Sequence, residues 1–298
     1  MESPLVLVFD IGATTIRAAA VNREGTLVHV ESRGNGPVPQ RPDRNWLVWD
    51  TEKIWGKLLS CARKTIRAVG EQNIVSIVVT SFSDDGAPID QRGNILYPVI
   101  SWQCPRTVKT ADHIGRIISP KELFRITGEQ VMRQHTIFRL IWLTEHEPEV
   151  LKRTYRYLMF PGLITYRLTG NIANDPTTAD SMMLLDIKRR DYSSALIRKI
   201  GCDAAIFPAL LEPGSVVGEV LPGVRRRLGI KKNIPVVTGG HDTQFAVFGS
   251  GCLPGQAAVS SGTWEILVLR SNRPETGADA FKRGIKNECD AVPGLFDV

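Results

Sequence analysis

Three stretches of the chain set polar side chains and glycines where an apolar run ends, so that a buried strand would hand them to the surface. The first is Asp10-Ile11-Gly12-Ala13-Thr14-Thr15-Ile16-Arg17. A carboxylate at a strand end can hold Mg²⁺ directly or through water. Gly12 lets the backbone approach a ligand closely, and the hydroxyls of Thr14 and Thr15 and the cation of Arg17 suit phosphate oxygens. A tight hairpin with an Asx-type turn accounts for the same residues, and spacing alone does not choose between the two. The second stretch is Gly239-Gly240-His241-Asp242-Thr243-Gln244. The paired glycines open a turn and a helix is predicted from Thr243. Asp242 then sits near a helix N-terminus, where an ionised carboxylate is favoured and a general base is well placed; a plain N-cap is the competing reading. His241 alone reads as a packing or hydrogen-bonding residue. The third is Ser260-Ser261-Gly262-Thr263-Trp264, where hydroxyls and a glycine between two strands suit an anion nest, although by itself it reads more simply as a hairpin.

These stretches need a scaffold, and the hydrophobic pattern supplies one. Leu5 to Phe9 is an unbroken apolar run, read as a buried strand. Ile16 to Val21 and Thr26 to Val30, separated by Asn22-Arg23-Glu24-Gly25, complete an antiparallel meander. Gly34 to Asp43 holds three Pro and two Gly and is predicted to be a loop. Asp50 can cap a helix to about Val69, with Ile54, Trp55, Leu58, Leu59, Ala62, Ile66 and Val69 on one face. Ile74 to Val79 is the next strand. Ala87 to Asp90 and Ile95 to Val99 flank Gln91-Arg92-Gly93-Asn94 and are predicted to pair as a second hairpin. Residues 109 to 152 read as mostly helical, with Pro120 and Pro148 near helix starts. Arg156 to Phe160 is a strand, and Leu163 to Leu168 a helix that stops at Gly170. A helix follows around Ser194 to Ile200, and Val224 to Leu228 ends at Gly229. Ile234 to Thr238 runs as a strand into the second stretch, and Ala257 to Ser261 and Glu265 to Leu269 flank the third.

Composition bounds the rest. The 298 residues suit one large or two ordinary domains, and 43% hydrophobic with 23% charged residues is ordinary globular usage, which excludes a disordered, collagenous or disulfide-scaffold chain. Lys and Arg number 37 against 31 Asp and Glu, a net +6 that is only modestly basic. The clusters Lys188-Arg189-Arg190 and Arg225-Arg226-Arg227 lack interleaved aromatics and read as solvated helix ends, so no nucleic-acid partner is expected. No apolar run reaches the ~18 residues of a membrane span, and Met1-Glu2-Ser3-Pro4 has no basic n-region, so neither membrane nor signal peptide is expected. The five cysteines (Cys61, Cys104, Cys202, Cys252, Cys289) are odd in number and form no CxxC pair; they suit reduced thiols in the cytoplasm. There is no GxxxxGK[ST], no GxGxxG after a strand, no HExxH and no GxSxG. Phosphate chemistry here has to use carboxylates, hydroxyls and backbone.

An N-terminal strand ending in Asp10-x-Gly12-x-Thr14 and followed by a hairpin resembles the first phosphate loop of the sugar kinase/actin superfamily. Gly240-His241-Asp242-Thr243-Gln244-Phe245-Ala246 resembles the catalytic-base motif of the FGGY carbohydrate kinases. The runs Gly93-Asn94-Ile95-Leu96-Tyr97-Pro98-Val99-Ile100-Ser101-Trp102-Gln103-Cys104-Pro105-Arg106-Thr107 and Ser260-Ser261-Gly262-Thr263-Trp264-Glu265-Ile266-Leu267 extend the likeness toward the branch that acts on L-fuculose. It covers the chain from about Leu5 onward. It implies an α/β fold of ribonuclease-H-like (actin-like ATPase, sugar kinase) domains with the active site in a cleft. Residues 1–247 would be the N-terminal, sugar-binding domain and 248–298 the start of an incomplete nucleotide-binding domain, so that this chain by itself would bind ATP weakly and turn over slowly or not at all, and its unpartnered apolar strands would associate.

The implied activity is ATP-dependent phosphorylation of the 1-hydroxyl of L-fuculose, with ATP and Mg²⁺ required. Asp242 would be the general base, Asp10 would hold Mg²⁺ through water, and Thr14, Thr15, Arg17, Gly262 and Thr263 would position phosphates. Ser83, Asp85, Trp102, His241 and Asp242 would contact the sugar; Ser83 stands where related ketose kinases commonly have Gly. L-rhamnulose or D-ribulose as substrate, a non-catalytic sugar-binding module, and association with a second copy stay open. Trp46, Trp49, Trp55 and Trp142 read as core, and Asp84-Asp85 also suits a solvated turn. Glu145-His146-Glu147 reads as a surface helix end, because adjacent helical residues point in different directions.

Overall fold

The computed structural model describes residues 4–261 and 265–298. Its centre is a six-stranded sheet in the spatial order Val216–Glu219, Pro235–His241, Ile74–Ser81, Leu5–Ile11, Thr15–Val21, Leu27–Gly34. The last three form the expected antiparallel meander. The strands Pro235–His241, Ile74–Ser81 and Leu5–Ile11 run parallel, so their C-terminal ends meet on one edge. Buried and half-buried positions alternate along Leu5–Ile11, with Leu7, Phe9 and Ile11 fully buried.

The helix Thr51–Val69 starts where Asp50 accepts the Lys53 amide at 3.0 Å, and ends at Gly70, whose φ of 83° a side chain would resist. Its predicted apolar face packs on the sheet together with the helices Phe160–Thr169 and Pro222–Leu228. A second apolar cluster forms around the helix Thr136–His146 and includes Met182, Met183, Cys289 and Phe296. Trp49, Trp55 and Trp142 are buried, and Trp46 stacks edge-on against Trp142 at 5.4 Å. His146 lies flat on Trp142 at the exposed end of its helix. All five cysteines are free and buried. Among the described residues no helix is long and apolar enough to cross a membrane.

Two local expectations change. The turn Asp90–Asn94 closes, with Asp90 N donating to Asn94 O at 3.0 Å, but its ladder stops at one bridge, Ile89 to Ile95. Gly86–Ile89 instead pairs with Arg156–Met159, and Val99–Ile100 with Leu47–Trp49. Pro88 and Pro98 have no amide to extend a hairpin ladder, whereas all four residues of Gly86–Ile89 are buried and demand a neighbour. The predicted loop after Gly34 also contains a short strand, Val38–Pro39, paired with Leu47–Trp49.

A small sheet, ordered Ala257–Ser261, Glu265–Ser271, Phe296–Asp297, Glu288–Cys289, follows. Its last strands return to the larger body. Cys289 N donates to Asp180 Oδ2 at 2.5 Å, Asn287 N donates to Gly128 O at 2.9 Å, and Phe281 packs on Phe124 at 5.4 Å. The hairpin at the other end leaves Val259, Leu267 and Leu269 exposed.

Candidate active site

Strand register brings the first two sequence stretches together. Asp10 pairs with Thr80 and Thr80 with Gly240; one step on, Ile11 pairs with Ser81 and Ser81 with His241. Asp10 and Asp242 therefore emerge from the same sheet edge with one strand between them, and Thr80 Oγ1 ties that strand to Gly240 O at 2.9 Å. Asp10 feels the charge of Asp242. Burial pushes the Asp10 carboxyl above its ordinary range, Arg17 draws it back, and Asp242 adds to the rise.

The loop after Asp10 is rigid for local reasons. Gly12 N donates to Thr15 O at 2.9 Å, and a Cβ on Gly12 would sit 3.0 Å from that same oxygen. Asn35 clamps the turn, its Nδ2 donating to Gly12 O and its amide to Thr14 O, both at 2.8 Å. Thr14 is exposed and Thr15 half-buried. Arg17 Nη1 donates to Asp10 Oδ2 at 2.8 Å, with half of the Arg17 side chain in solvent. Among the described residues Asp10 Oδ1 takes no hydrogen bond. A hard oxygen beside a second carboxylate suits a divalent cation or its water, and positive charge there would relieve the repulsion between the two acids.

Asp242 opens the helix Asp242–Gly249, one residue earlier than the sequence suggested, and His241 is the N-cap. The free amides of the first turn favour its negative charge. His241 Nε2 lies 3.5 Å from Asp242 Oδ1. A brace that sequence reasoning missed holds this strand end. Thr177 Oγ1 accepts the His241 amide at 2.9 Å and donates to Asp175 Oδ1 at 2.6 Å. Asp175 also takes Thr178 N and Thr178 Oγ1. Only glycine fits beside the brace, because a Cβ at Gly240 would lie 2.0 Å from Thr177 Oγ1. The Asp-Pro-Thr-Thr run at 175–178 carries the local pattern of a helix N-cap, but nothing in it announces a partner 64 residues on.

The segment 83–85 is not a solvated turn. Ser83 is buried and Asp85 has no exposure. Asp85 Oδ2 accepts Trp49 Nε1 at 2.5 Å and the Trp102 amide at 3.1 Å, while Arg139 lies 2.9 Å from Oδ1. Burial raises its carboxyl to about 7 against the pull of Arg139. Asp85 thus fixes the half-buried Trp102. Asp84 keeps some exposure and has a φ of 68°, a left-handed conformation that costs a non-glycine residue energy. Ser181 Oγ accepts its amide at 3.1 Å, and Thr136 Oγ1 and Arg139 Nη1 donate to its carbonyl. His135 Nδ1 meets its carboxylate at 3.1 Å.

Gly262 and Thr263 lie outside the described residues. The flanking Ser261 donates through Oγ to Glu265 Oε1 at 2.6 Å.

Comparison with known proteins places the chain in a family. Residues 5–249 match the N-terminal domain of the FGGY family of carbohydrate kinases. An L-fuculokinase of Escherichia coli K12 is 38% identical over 297 residues, which cover 100% of this chain and 63% of that protein. An L-fuculokinase of Haemophilus influenzae is 34% identical, with 98% of this chain and 63% of the relative covered. The crystal structure of xylulose kinase from Rhodospirillum rubrum superposes with a TM-score of 0.88 at 22% identity, over 98% of this chain and 59% of that one, and shows the shared sugar-kinase fold. The chain thus spans about 63% of the length of those L-fuculokinases. With a family match over most of its length, the chain belongs to the FGGY family of carbohydrate kinases.

Proposed function

We propose that this chain carries the sugar site and general base of an ATP-dependent kinase acting on the 1-hydroxyl of L-fuculose. The observation that carries the reading is the register Asp10–Thr80–Gly240, which sets two carboxylates at one sheet edge within electrostatic reach. The likeness to L-fuculokinases over the whole chain supports L-fuculose among the ketoses. Residues 1–247 would bind the sugar, and 248–298 would open the nucleotide-binding domain.

Asp242 would accept the 1-hydroxyl proton while the oxygen attacks the γ-phosphorus of ATP. A carboxylate suffices, because the proton moves late in a loose phosphoryl-transfer transition state. The helix amides point their positive ends at that carboxylate, and the Thr177–Asp175 brace holds its strand end in place. Asp10 would hold Mg²⁺, which when bound neutralises charge on the β- and γ-phosphate oxygens. Thr14, Thr15, Gly12 and the Gly262-Thr263 backbone would position phosphates, together with the Arg17 donors not spent on Asp10. Ser83, Trp102 and His241 would border the sugar, with Asp85 acting through the Trp102 amide.

Calorimetric titration of the chain with L-fuculose, L-rhamnulose and D-ribulose tests this. L-fuculose is expected to bind tightest. Tighter L-rhamnulose or D-ribulose binding would transfer the reading to that ketose, and no ketose binding would end it.

A further inference from the structure

The return segment sets charged side chains against the helix that begins with Asp242, and the mechanism above assigns them nothing. Lys286 Nζ lies 2.5 Å from Glu288 Oε1 and 3.5 Å from Glu129 Oε2. Glu288 Oε2 accepts Gln244 Nε2 at 2.7 Å, and Gln244 sits in the first turn of the helix that begins with Asp242. From the other side, His135 reaches toward Glu129 at 3.6 Å and bonds Asp84. Glu288 is therefore bonded to the base helix directly, and a chain of charged groups, Lys286, Glu129 and His135, links it to the Asp84 loop. Its carboxylate feels Lys286, His241 and His135 together, which overcome the effect of burial and bring it down to about 2.

Several polar atoms beside this pair are buried without a hydrogen-bond partner among the described residues: both oxygens of Glu129, Asp180 Oδ1 and Gln244 Oε1. Gln244 is 1% exposed, so its idle carbonyl oxygen is not satisfied by bulk solvent. Burial lifts Glu129 and Asp180 well above the usual carboxylate range, so each can keep a proton and both donate and accept. Lys286 already supplies the cation between Glu129 and Glu288, which leaves no call for a metal ion. What the atoms ask for is a neutral group that donates and accepts at once, and a hydroxyl does both. A phosphate would meet the carboxylates of Glu288 and Asp84.

We propose that Glu288 and Lys286, delivered by the return segment, form a specificity subsite for the hydroxyls of the ketose distal to the one phosphorylated. The proposal rests on the sugar-kinase reading and adds that residues beyond the sugar domain itself choose among ketoses. Dihydroxyacetone keeps the ketone and the reacting hydroxyl and lacks the distal ones, so it separates the two ideas.

The test is calorimetry of wild type, Glu288→Gln and Lys286→Met with L-fuculose and dihydroxyacetone. Glu288→Gln is expected to weaken L-fuculose about 10- to 100-fold, the value of a hydrogen bond to a charged group, and to leave dihydroxyacetone within about twofold because none of its groups reaches the subsite. Unchanged L-fuculose affinity, or equal losses for both ligands, would overturn the subsite and leave the kinase reading standing. Wild type that binds neither ligand would bring down the kinase reading and the subsite with it. If circular dichroism shows Glu288→Gln unfolded, Lys286→Met decides by the same comparison.

Discussion

Gly240→Ala probes the brace behind the base. The new Cβ would lie 2.0 Å from Thr177 Oγ1 and 2.7 Å from Asp175 Oδ1, neither of which has free space to retreat into. Moving Thr177 breaks its bond from the His241 amide and its bond to the buried Asp175 carboxyl. A neutral hydrogen bond contributes about 1 kcal/mol and one to a charged acceptor about 1.5–3 kcal/mol. Moving the strand end instead strains a packed core, at about 1–3 kcal/mol. The two routes bracket a loss of about 1–4 kcal/mol, read as a lower midpoint in urea unfolding followed by tryptophan fluorescence. The double variant Gly240→Ala/Thr177→Ala relieves the overlap, so its loss should fall short of the summed single losses by about 1 kcal/mol or more. L-fuculose affinity should drop in Gly240→Ala, because Asp242 moves with its strand. A Gly240→Ala protein within about 0.5 kcal/mol of wild type, with unchanged sugar binding, would refute the brace.

Two further outcomes follow from the same packing. Asp85 sits at about 7 in the folded chain and near 3.8 in the unfolded one, so the folded state holds its proton more tightly. Its contribution is complete below about pH 4 and disappears as pH rises through 7; urea midpoints compared at pH 5 and pH 8 should fall more in wild type than in Asp85→Asn, and equal falls would contradict the assignment. The hairpin exposes Val259, Leu267 and Leu269 together on one open apolar face; the chain should associate with rising concentration in size-exclusion chromatography, and Val259→Lys/Leu267→Lys should elute as a monomer, whereas a wild-type monomer at all concentrations would contradict this.

The sequence made the central strands and both acids legible because each acid ends an apolar run, a local signal that survives without knowledge of the fold. The Asp50 cap, the end near Val69 and the one-faced helix between them were legible for the same reason. What joins distant segments was not. From sequence Asp85 reads as a sugar contact or as part of a solvated turn, and only the fold shows that Trp49, Trp102 and Arg139 enclose it. Thr177 meets His241 and Gln244 meets Glu288 across long stretches of chain, and no periodicity encodes such pairs. The one local trace of the distal cluster was the Lys286-x-Glu288 spacing, which in an extended segment sets both side chains on one face. The hairpin expected at Ala87–Val99 failed for the converse reason, since a good local turn lost to a buried partner strand at Arg156–Met159.

The central claim is that Asp242 takes the sugar proton at an edge it shares with Asp10. Its most direct test is ADP release from Mg²⁺-ATP, measured with and without saturating L-fuculose, for the wild-type chain and Asp242→Asn. However slow the wild-type rate, it should depend on L-fuculose, and Asp242→Asn should lower it by about 10²–10⁴-fold, the usual value of a general base, while calorimetry shows the sugar still bound. Sugar-dependent ADP release that continues at the wild-type rate in Asp242→Asn would contradict the account.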